Sequence, residues 1–106
     1  MEDSDHIFQL EADFLKSLAH PTRLRIQDLL REGERCVCEV TEELELEQAN
    51  VSQHLAVLKR QGLISSRKDG LRVIYRLDYP EVYTLVELIK RILKRQAENA
   101  VAALSG

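Results

Sequence analysis

The stretch ANVSQHLAVLKRQGLISSRKDGLRVIYRL, residues 49–77, decides the fold. Over its first half, apolar side chains recur at the spacing of one helix face. Gly62 then favours the left-handed conformation that commonly ends a helix. The pattern therefore predicts a helix from about Gln48 to Gln61, with an inward stripe of Val51, Leu55 and Leu58.

The second half of this stretch changes period and predicts a β-hairpin. Residues 63–67 and 72–77 have the composition of strands, and the apolar residues of the second strand alternate. Between them, Lys68–Leu71 contains an Asp-Gly pair, which is a strong hairpin signal. A hairpin placed directly after a helix of this kind is typical of a winged helix-turn-helix.

The rest of the chain predicts four further helices and a turn that complete this fold. Short connections join them, so we expect one domain over residues 1–106 in the order α-α-α-α-β-β-α, mainly α (α+β), with the third and fourth helices forming the helix-turn-helix. The predicted helices are Asp5–Leu18, Thr22–Arg31 with Pro21 in its first turn, Cys36–Leu44 and Glu81 to about Leu104, and Glu45–Glu47 forms the turn.

Charge is distributed unevenly along the chain, whose net charge is −3. Residues 52–76 hold six basic residues and one acid, whereas residues 32–47 hold seven acids and one base. Such a protein can bind a polyanion on one face and repel it elsewhere, although a solvated charged surface explains charge alone equally well. The acidic start, without a basic region before an apolar run, favours the cytoplasm, and no apolar run is long enough to span a membrane.

The outward face of the Gln48–Gln61 helix predicts contact with double-stranded DNA. It is small and rich in amides, and it has no acid, whereas an ordinary surface helix carries Glu and Lys pairs. Asn and Gln bond adenine bidentately, and a basic hairpin next to the helix can contact phosphates or the minor groove. The predicted DNA-binding residues are Gln48, Ala49, Asn50, Ser52, Gln53, His54, Lys59, Arg60, Arg67, Lys68 and Arg72.

Three motifs, LAHPTRLRIQDLL, CVCEV and residues 49–77, resemble those of the arsenic-repressor (ArsR/SmtB) family of winged-helix transcriptional regulators. The resemblance extends from about Phe14 to the last helix, and the run Ser52–Ile64 is its most specific part. It implies a repressor that a ligand releases from DNA, with Ser52, Gln53 and His54 at DNA contact positions. It also implies a homodimer built from the first and last helices, where the apolar stripes place Ile7, Leu10, Phe14, Ile89, Ile92, Leu93 and Ala97.

The resemblance further implies a sensing site at Cys36 and Cys38, because CVC at the start of the third helix marks a family site for arsenite, antimonite, cadmium or lead. Soft thiolates suit these ions, and a helix N-terminus favours the thiolate form. The third family cysteine is replaced by Thr41, so His6 or Asp5 of a partner subunit, a small thiol or water would complete the shell. The family's zinc and nickel site is excluded, because the last helix has no His.

Three alternatives remain open at this point. The same cysteines could form a thiol-redox switch, or they could be two small buried apolar residues. A constitutive architectural DNA-binding protein is also compatible with the basic region. An enzyme is not expected, and neither is a catalytic cofactor, because the sequence has no Gly-rich phosphate loop and no nucleophile–base signature.

Overall fold

The computed structural model describes residues 2–105 and confirms the predicted winged helix-turn-helix. Its helices are α1 (Glu2–Leu18), α2 (Pro21–Arg31), α3 (Val37–Leu44), α4 (Gln48–Arg60) and α5 (Glu81–Ser105), and its strands are β1 (Arg35–Cys36), β2 (Ile64–Asp69) and β3 (Arg72–Leu77). The three strands form one antiparallel sheet in the order β1-β3-β2.

Strand β1 is the one element that the sequence analysis did not predict. Cys36, predicted to begin the third helix, instead has an extended backbone (φ −76°, ψ 159°) and pairs with Ile74 of β3. The helix begins one residue later, because the Cys36 side chain accepts a hydrogen bond from the backbone N–H of Glu39 and so caps it. This cap holds the residue outside the helix, where its backbone is free to pair with the sheet.

The helix-turn-helix packs its two helices on a shared apolar core. Helix α3 ends at Glu45, which has a left-handed backbone (φ 56°), and the following Leu46 N–H bonds to the Thr41 carbonyl at 3.3 Å. The predicted stripe of α4 is confirmed, because all three of its members are buried. The core joins residues of every helix, of β2 and of the position just before β2: Leu18, Ile26, Leu30, Val40, Leu44, Val51, Leu55, Leu58, Leu63, Ile64 and Val82.

The wing, which we define as β2, β3 and their loop, has β3 as predicted but a shorter loop. Strand β2 continues to Asp69, which pairs with Arg72, so the loop is only Gly70 and Leu71. Gly70 has φ 64°, a conformation that suits the first position of a two-residue hairpin loop. The tip carries Leu71, whose side chain is fully exposed.

The first and last helices extend away from this core. From Glu87 to Ser105 every residue of α5 is exposed in the protomer, and so is every residue of α1 from Asp3 to Glu11. The radius of gyration is 17.0 Å, whereas a compact domain of this length has about 13 Å. None of the helices within residues 2–105 is long and apolar enough to span a bilayer.

Candidate DNA-binding surface and cysteine site

The N-terminal half of α4 presents the predicted amide-rich face to solvent. Helix α4 begins after Glu47, whose side chain makes no capping hydrogen bond, so the first turn is held by burial of Val51 and by the Val51 N–H bond to the Glu47 carbonyl. The outward side chains are all exposed, and they are Gln48, Ala49, Asn50, Ser52 and Gln53. They form the exposed face of a helix, the element that winged helix-turn-helix proteins place in a major groove.

His54 differs from these neighbours, because its ring is half-buried against the corner between α1 and α2. It stacks on His20, with ring centroids 4.3 Å apart, and its Nδ1 lies 3.4 Å from Arg23 Nη1. His20 itself caps α2 by accepting a hydrogen bond from the Thr22 N–H, and Arg23 also donates to the carbonyl of Lys16. The cluster of His20, Arg23 and His54 thus fixes α4 against the corner that precedes it.

The same cluster lowers the pKa of His54. Burial is the largest cause, and the charges of His20 and Arg23 act in the same direction. The imidazole is therefore held neutral, with Nδ1 available to accept the Arg23 hydrogen bond. In this state His54 offers DNA at most its other ring nitrogen, so its positioning role within the cluster is what the geometry supports most directly.

The basic residues predicted for DNA contact lie at two places. Lys59 and Arg60 are exposed at the end of α4, where Lys59 donates to the Ser66 hydroxyl at 2.7 Å and so joins the helix to β2. Arg67, Lys68 and Arg72 are exposed on the wing. The wing and the end of α4 thus present exposed positive charge that can contact the DNA backbone.

Two of the three wing arginines, Arg67 and Arg72, are already paired with carboxylates of the segment that carries the cysteines. Arg67 Nη2 lies 2.7 Å from Glu34, and Arg72 Nη2 lies 2.8 Å from Glu39. All four side chains are between 41% and 57% exposed. The hydrogen bond from Arg67 to Glu34 raises the pKa of the arginine, so the guanidinium is charged at every physiological pH.

Cys36 and Cys38 form a disulfide, with their Cα atoms 5.2 Å apart. Two residues separated by one position do not face each other inside an α-helix. They meet here because Cys36 is the extended N-cap and only Cys38 belongs to the helix. Cys36 is fully buried, whereas Cys38 is exposed to solvent.

A reciprocal capping box surrounds the buried cysteine. Glu39 donates its backbone N–H to Cys36 Sγ at 3.1 Å, and its carboxylate accepts the backbone N–H of Cys36 at 3.0 Å. Thr41, at the position of the absent third cysteine, donates its hydroxyl to the Val37 carbonyl. Within residues 2–105 of one protomer, no group of three His, Cys, Asp or Glu side chains has the geometry to hold a metal ion.

Sequence reasoning missed Glu34 and Glu39, and it missed His20 and Arg23. The signal for Glu39 was present in Cys-Val-Cys-Glu, which places an acid three residues after a residue able to cap, as in a capping box. No local pattern joins Glu34 to Arg67 or Arg23 to His54, because these partners are 33 and 31 residues apart.

The residues predicted for dimerisation lie on the projecting helices. Five of them are between 42% and 58% exposed in the protomer: Ile7, Leu10, Ile89, Ile92 and Leu93. Ala97 is exposed on the same helix, whereas Phe14 is half-buried and packs partly against the protomer's own core. Apart from Phe14, these apolar side chains are exposed to solvent in the protomer over the described residues.

A recognition helix, here α4, beside a basic wing is the architecture of a DNA-binding transcriptional regulator. Comparison with known proteins identifies which kind. The pattern of the arsR family of bacterial regulatory proteins matches residues 20–66. The chain is also 39% identical over 103 residues to the uncharacterised HTH-type transcriptional regulator Rv0081 of Mycobacterium tuberculosis, across 96% of this chain and 90% of that one. The protein therefore belongs to the ArsR family, whose members are DNA-binding regulators and not enzymes.

Two further relatives bear on regulation. The arsenic resistance transcriptional regulator ArsR1 of Pseudomonas putida is 45% identical over 85 residues, which cover 78% of this chain and 66% of ArsR1. The transcriptional activator HlyU of Vibrio cholerae is 42% identical over 78 residues, which cover 74% of this chain and 72% of HlyU.

Solved structures agree with the fold. The crystal structure of Rv0081 superposes with a TM-score of 0.80 at 38% identity, covering 90% of this chain and 96% of that one. The winged helix-turn-helix domain of Mb0332 from Mycobacterium bovis, described as homodimeric, gives 0.80 at 29% identity, with coverages of 93% and 92%. Reduced HlyU from Vibrio cholerae gives 0.75 at 36% identity, with coverages of 87% and 97%.

Proposed function

We propose that this protein is a homodimeric transcriptional repressor whose affinity for operator DNA is controlled by Cys36 and Cys38. The whole chain, residues 1–106, acts as one DNA-binding unit in this proposal. The observation that carries it is the position of the cysteine pair at the N-cap of α3, the helix that packs against the recognition helix α4. A chemical change at the two sulfurs alters the cap of one half of the helix-turn-helix.

DNA contact is assigned to the exposed face of α4 and to the wing. Asn50, Ser52 and Gln53 offer hydrogen bonds to base edges, and the small Ala49 allows close approach to the groove. The basic residues contact phosphates, which position the protein without reading sequence. A homodimer presents two copies of α4, so we expect the operator to be an imperfect inverted repeat.

The geometry of the cysteine pair favours a thiol-redox switch. Cys38 is the exposed thiol and reacts first, for instance with hydrogen peroxide, whose O–O bond breaks to give a sulfenic acid on Cys38 and one water. The Cys36 thiol then attacks the Cys38 sulfur, and the S–S bond forms with loss of a second water. Two thiols are oxidised and one peroxide is reduced, and this disulfide requires no donor outside the protomer.

Binding of a thiophilic metalloid or metal is the second candidate. It is favoured by the similarity to ArsR1 and by two adjacent sulfur atoms, one of which, on Cys38, belongs to a solvent-exposed residue. As(III) or Sb(III) would be held by the thiolates of Cys36 and Cys38, with Cd(II) or Pb(II) next in order. Because one protomer provides no third soft donor among its described residues, a small-molecule thiol, water, or Asp5 or His6 of a partner subunit would complete the shell.

An inducer panel distinguishes these two candidates. Operator release is measured by fluorescence anisotropy with arsenite, antimonite, cadmium, lead and zinc under reducing conditions, and with peroxide in metal-free buffer. The double variant Cys36→Ser, Cys38→Ser is the matched control, since serine retains a good N-cap for α3. We expect it to bind operator and to ignore the inducer.

Each result has a definite meaning. Release by peroxide alone selects the redox switch, and release by metalloids or soft metals under reducing conditions selects the metal site. A response that persists in the double-serine variant would place the sensing site elsewhere. If none of the listed agents changes the affinity of the wild-type protein, the cysteine pair is not a sensor of these agents.

A further inference from the structure

We infer that Glu39 transmits the state of the cysteine pair to the wing, by holding Arg72 away from DNA when the disulfide is present. This inference rests on the proposed thiol-redox switch and adds the residue that couples the switch to DNA. In this inference the cysteine pair acts on the wing as well as on α4, the helix that packs against α3.

Glu39 hydrogen-bonds to both ends of this path. Its backbone N–H bonds to Cys36 Sγ at 3.1 Å. One oxygen of its carboxylate, Oε1, accepts both the backbone N–H of Cys36 at 3.0 Å and Arg72 Nη2 at 2.8 Å. The sulfur and the wing guanidinium are thus two hydrogen bonds apart, through the backbone N–H and the carboxylate of a single residue at the third position of α3.

The disulfide keeps Glu39 in this position. With Sγ of Cys36 bonded to Cys38, the sulfur cannot rotate away from the Glu39 N–H, so the capping box holds the carboxylate towards the wing. Reduction by a dithiol, which is itself oxidised to a disulfide, returns both cysteines to thiols. The Cys36 thiol can then leave the cap, and one half of the box is lost. The Glu39 carboxylate no longer has a fixed position beside Arg72.

A DNA phosphate can compete for Arg72, because ion pairs between exposed, flexible side chains are weak. The side chain of Arg72 is 53% exposed and that of Glu39 is 45% exposed, so this ion pair is one of the weak, solvent-exposed kind. A small change in how firmly Glu39 is held therefore decides whether Arg72 pairs with the carboxylate or with the DNA backbone. The released guanidinium adds one phosphate contact for each wing of a dimer.

The chain also contains a matched control pair. Arg67 and Glu34 lie 2.7 Å apart at similar exposure on the same face, but Glu34 makes no hydrogen bond to either cysteine among the described residues. Glu34→Gln and Glu39→Gln remove the same charge from the neighbourhood of DNA. Gln also serves at the third position of a capping box, so Glu39→Gln retains the cap while it removes the ion pair.

The test measures how steeply DNA affinity falls with salt. Wild-type protein, Glu39→Gln and Glu34→Gln are each prepared reduced and as the disulfide. Each is titrated onto one duplex, recovered from a random-sequence pool with reduced wild-type protein. Each phosphate contact contributes about 0.9 to the slope of log affinity against log salt.

We expect the disulfide form of the wild-type protein to have a slope shallower by about 2 than the reduced form, one contact for each wing. Glu39→Gln should give the steeper slope in both forms, whereas Glu34→Gln should retain the difference between them. Arg72→Gln provides the opposite check: it should give the shallower slope in both forms. Circular dichroism of each variant establishes that it is folded.

The failures are distinguishable. If wild type responds to oxidation and Glu39→Gln responds equally, the coupling through Glu39 is wrong while the cysteine switch stands. If Glu34→Gln abolishes the response as fully as Glu39→Gln, general charge near DNA explains the effect and the specific path is overturned. If wild type binds DNA equally in both forms, the redox switch itself is wrong, and the inference falls with it.

Discussion

Cys36 is the N-cap of α3, and the proposed switch gives it a second role as a reactive sulfur. In that switch its burial makes it the resolving thiol, and its hydrogen bond to the Glu39 N–H makes it part of the helix start. Thiol chemistry at this residue is therefore inseparable from helix capping. In an ordinary surface dithiol, oxidation would leave the backbone hydrogen bonds unaffected.

The capping role can be measured apart from the chemistry. On a Cys38→Ser background, where no disulfide can form, Cys36→Ser should keep the cap and Cys36→Ala should lose it. We expect the alanine variant to have a free energy of unfolding lower by about 1 kcal/mol than the serine variant. Urea unfolding of both variants checks this, and equal midpoints with equal slopes would contradict a capping role for residue 36.

His54 predicts a dependence of stability on pH. Its folded-state pKa is lowered from 6.5, chiefly by burial, so the unfolded chain binds the proton at higher pH than the folded chain does. The stability that neutral His54 contributes is present above pH 6.5 and is lost as pH falls towards the lowered folded-state pKa. We therefore expect a lower urea midpoint at about pH 5.5 than at about pH 7.5.

Two variants assign this effect to the cluster. His54→Gln should remove part of the pH dependence, because Gln cannot acquire a charge beside His20 and Arg23. His6→Gln, on the exposed face of α1, is the control and should leave it unchanged. Should His54→Gln show the full wild-type dependence on pH, the groups responsible lie outside the cluster.

At the scale of elements, the long periodic segments were predictable and the short one was not. The stripes of α2, α4 and α5 contain enough apolar positions to define a helix, and the Asp69-Gly70 pair marks the wing. Strand β1 has two residues, too few to show an alternating pattern in the sequence. It forms because β3 has a free edge beside the N-cap of α3. The end of β2 was placed two residues short for a related reason: charged residues there, as in Lys68-Asp69, look like a turn.

The DNA-binding surface was predictable at the level of faces but not of pairings. The exposure of Gln48, Ala49, Asn50, Ser52 and Gln53 follows from the period of α4. The pairing of Arg67 with Glu34 and of Arg72 with Glu39 depends on how β3 lies against β1, which is tertiary information. Pairings of this kind decide how much of a basic wing is free to bind DNA.

Substitutions in the recognition helix α4 and in the wing should therefore change DNA affinity in different ways. Gln53→Ala removes a base-edge contact and should cost about 1–3 kcal/mol, mainly on the preferred operator. Arg67→Ala and Arg72→Ala should weaken binding to all sequences and flatten the salt dependence. Titrations of each variant on operator and on random duplex measure both effects, and three unchanged affinities would show that the DNA-binding surface lies elsewhere.

At the scale of the whole molecule, a single protomer leaves many apolar side chains of α1 and α5 exposed to solvent. Helix α5 buries only Val82 fully, yet it continues to Ser105 with apolar side chains such as Leu93 and Val101 more than half exposed. Helix α1 exposes Phe8 and Leu15 as well as the predicted Ile7 and Leu10. Such contiguous apolar surface on a monomer marks an interaction site.

A second copy of the chain is the partner that we expect there. Leu93→Glu places a charge within the apolar stripe of α5 and should convert the dimer to monomer. Ala102→Glu introduces the same charge nine residues later, about 180° around the helix, and should leave the dimer intact. Sedimentation velocity at micromolar concentration measures the assembly of both variants, and circular dichroism verifies that each is folded.

Operator affinity should depend on dimerisation, because the two recognition helices of a dimer occupy two half-sites at once. We expect Leu93→Glu to lose most of its affinity for a full inverted repeat while its weak binding to one half-site changes little. Ala102→Glu should bind both like the wild type. A wild-type protein that sediments as a stable monomer, or a Leu93→Glu variant that remains dimeric, would show that the apolar faces of α1 and α5 serve another partner and would require a different account of how the operator is bound.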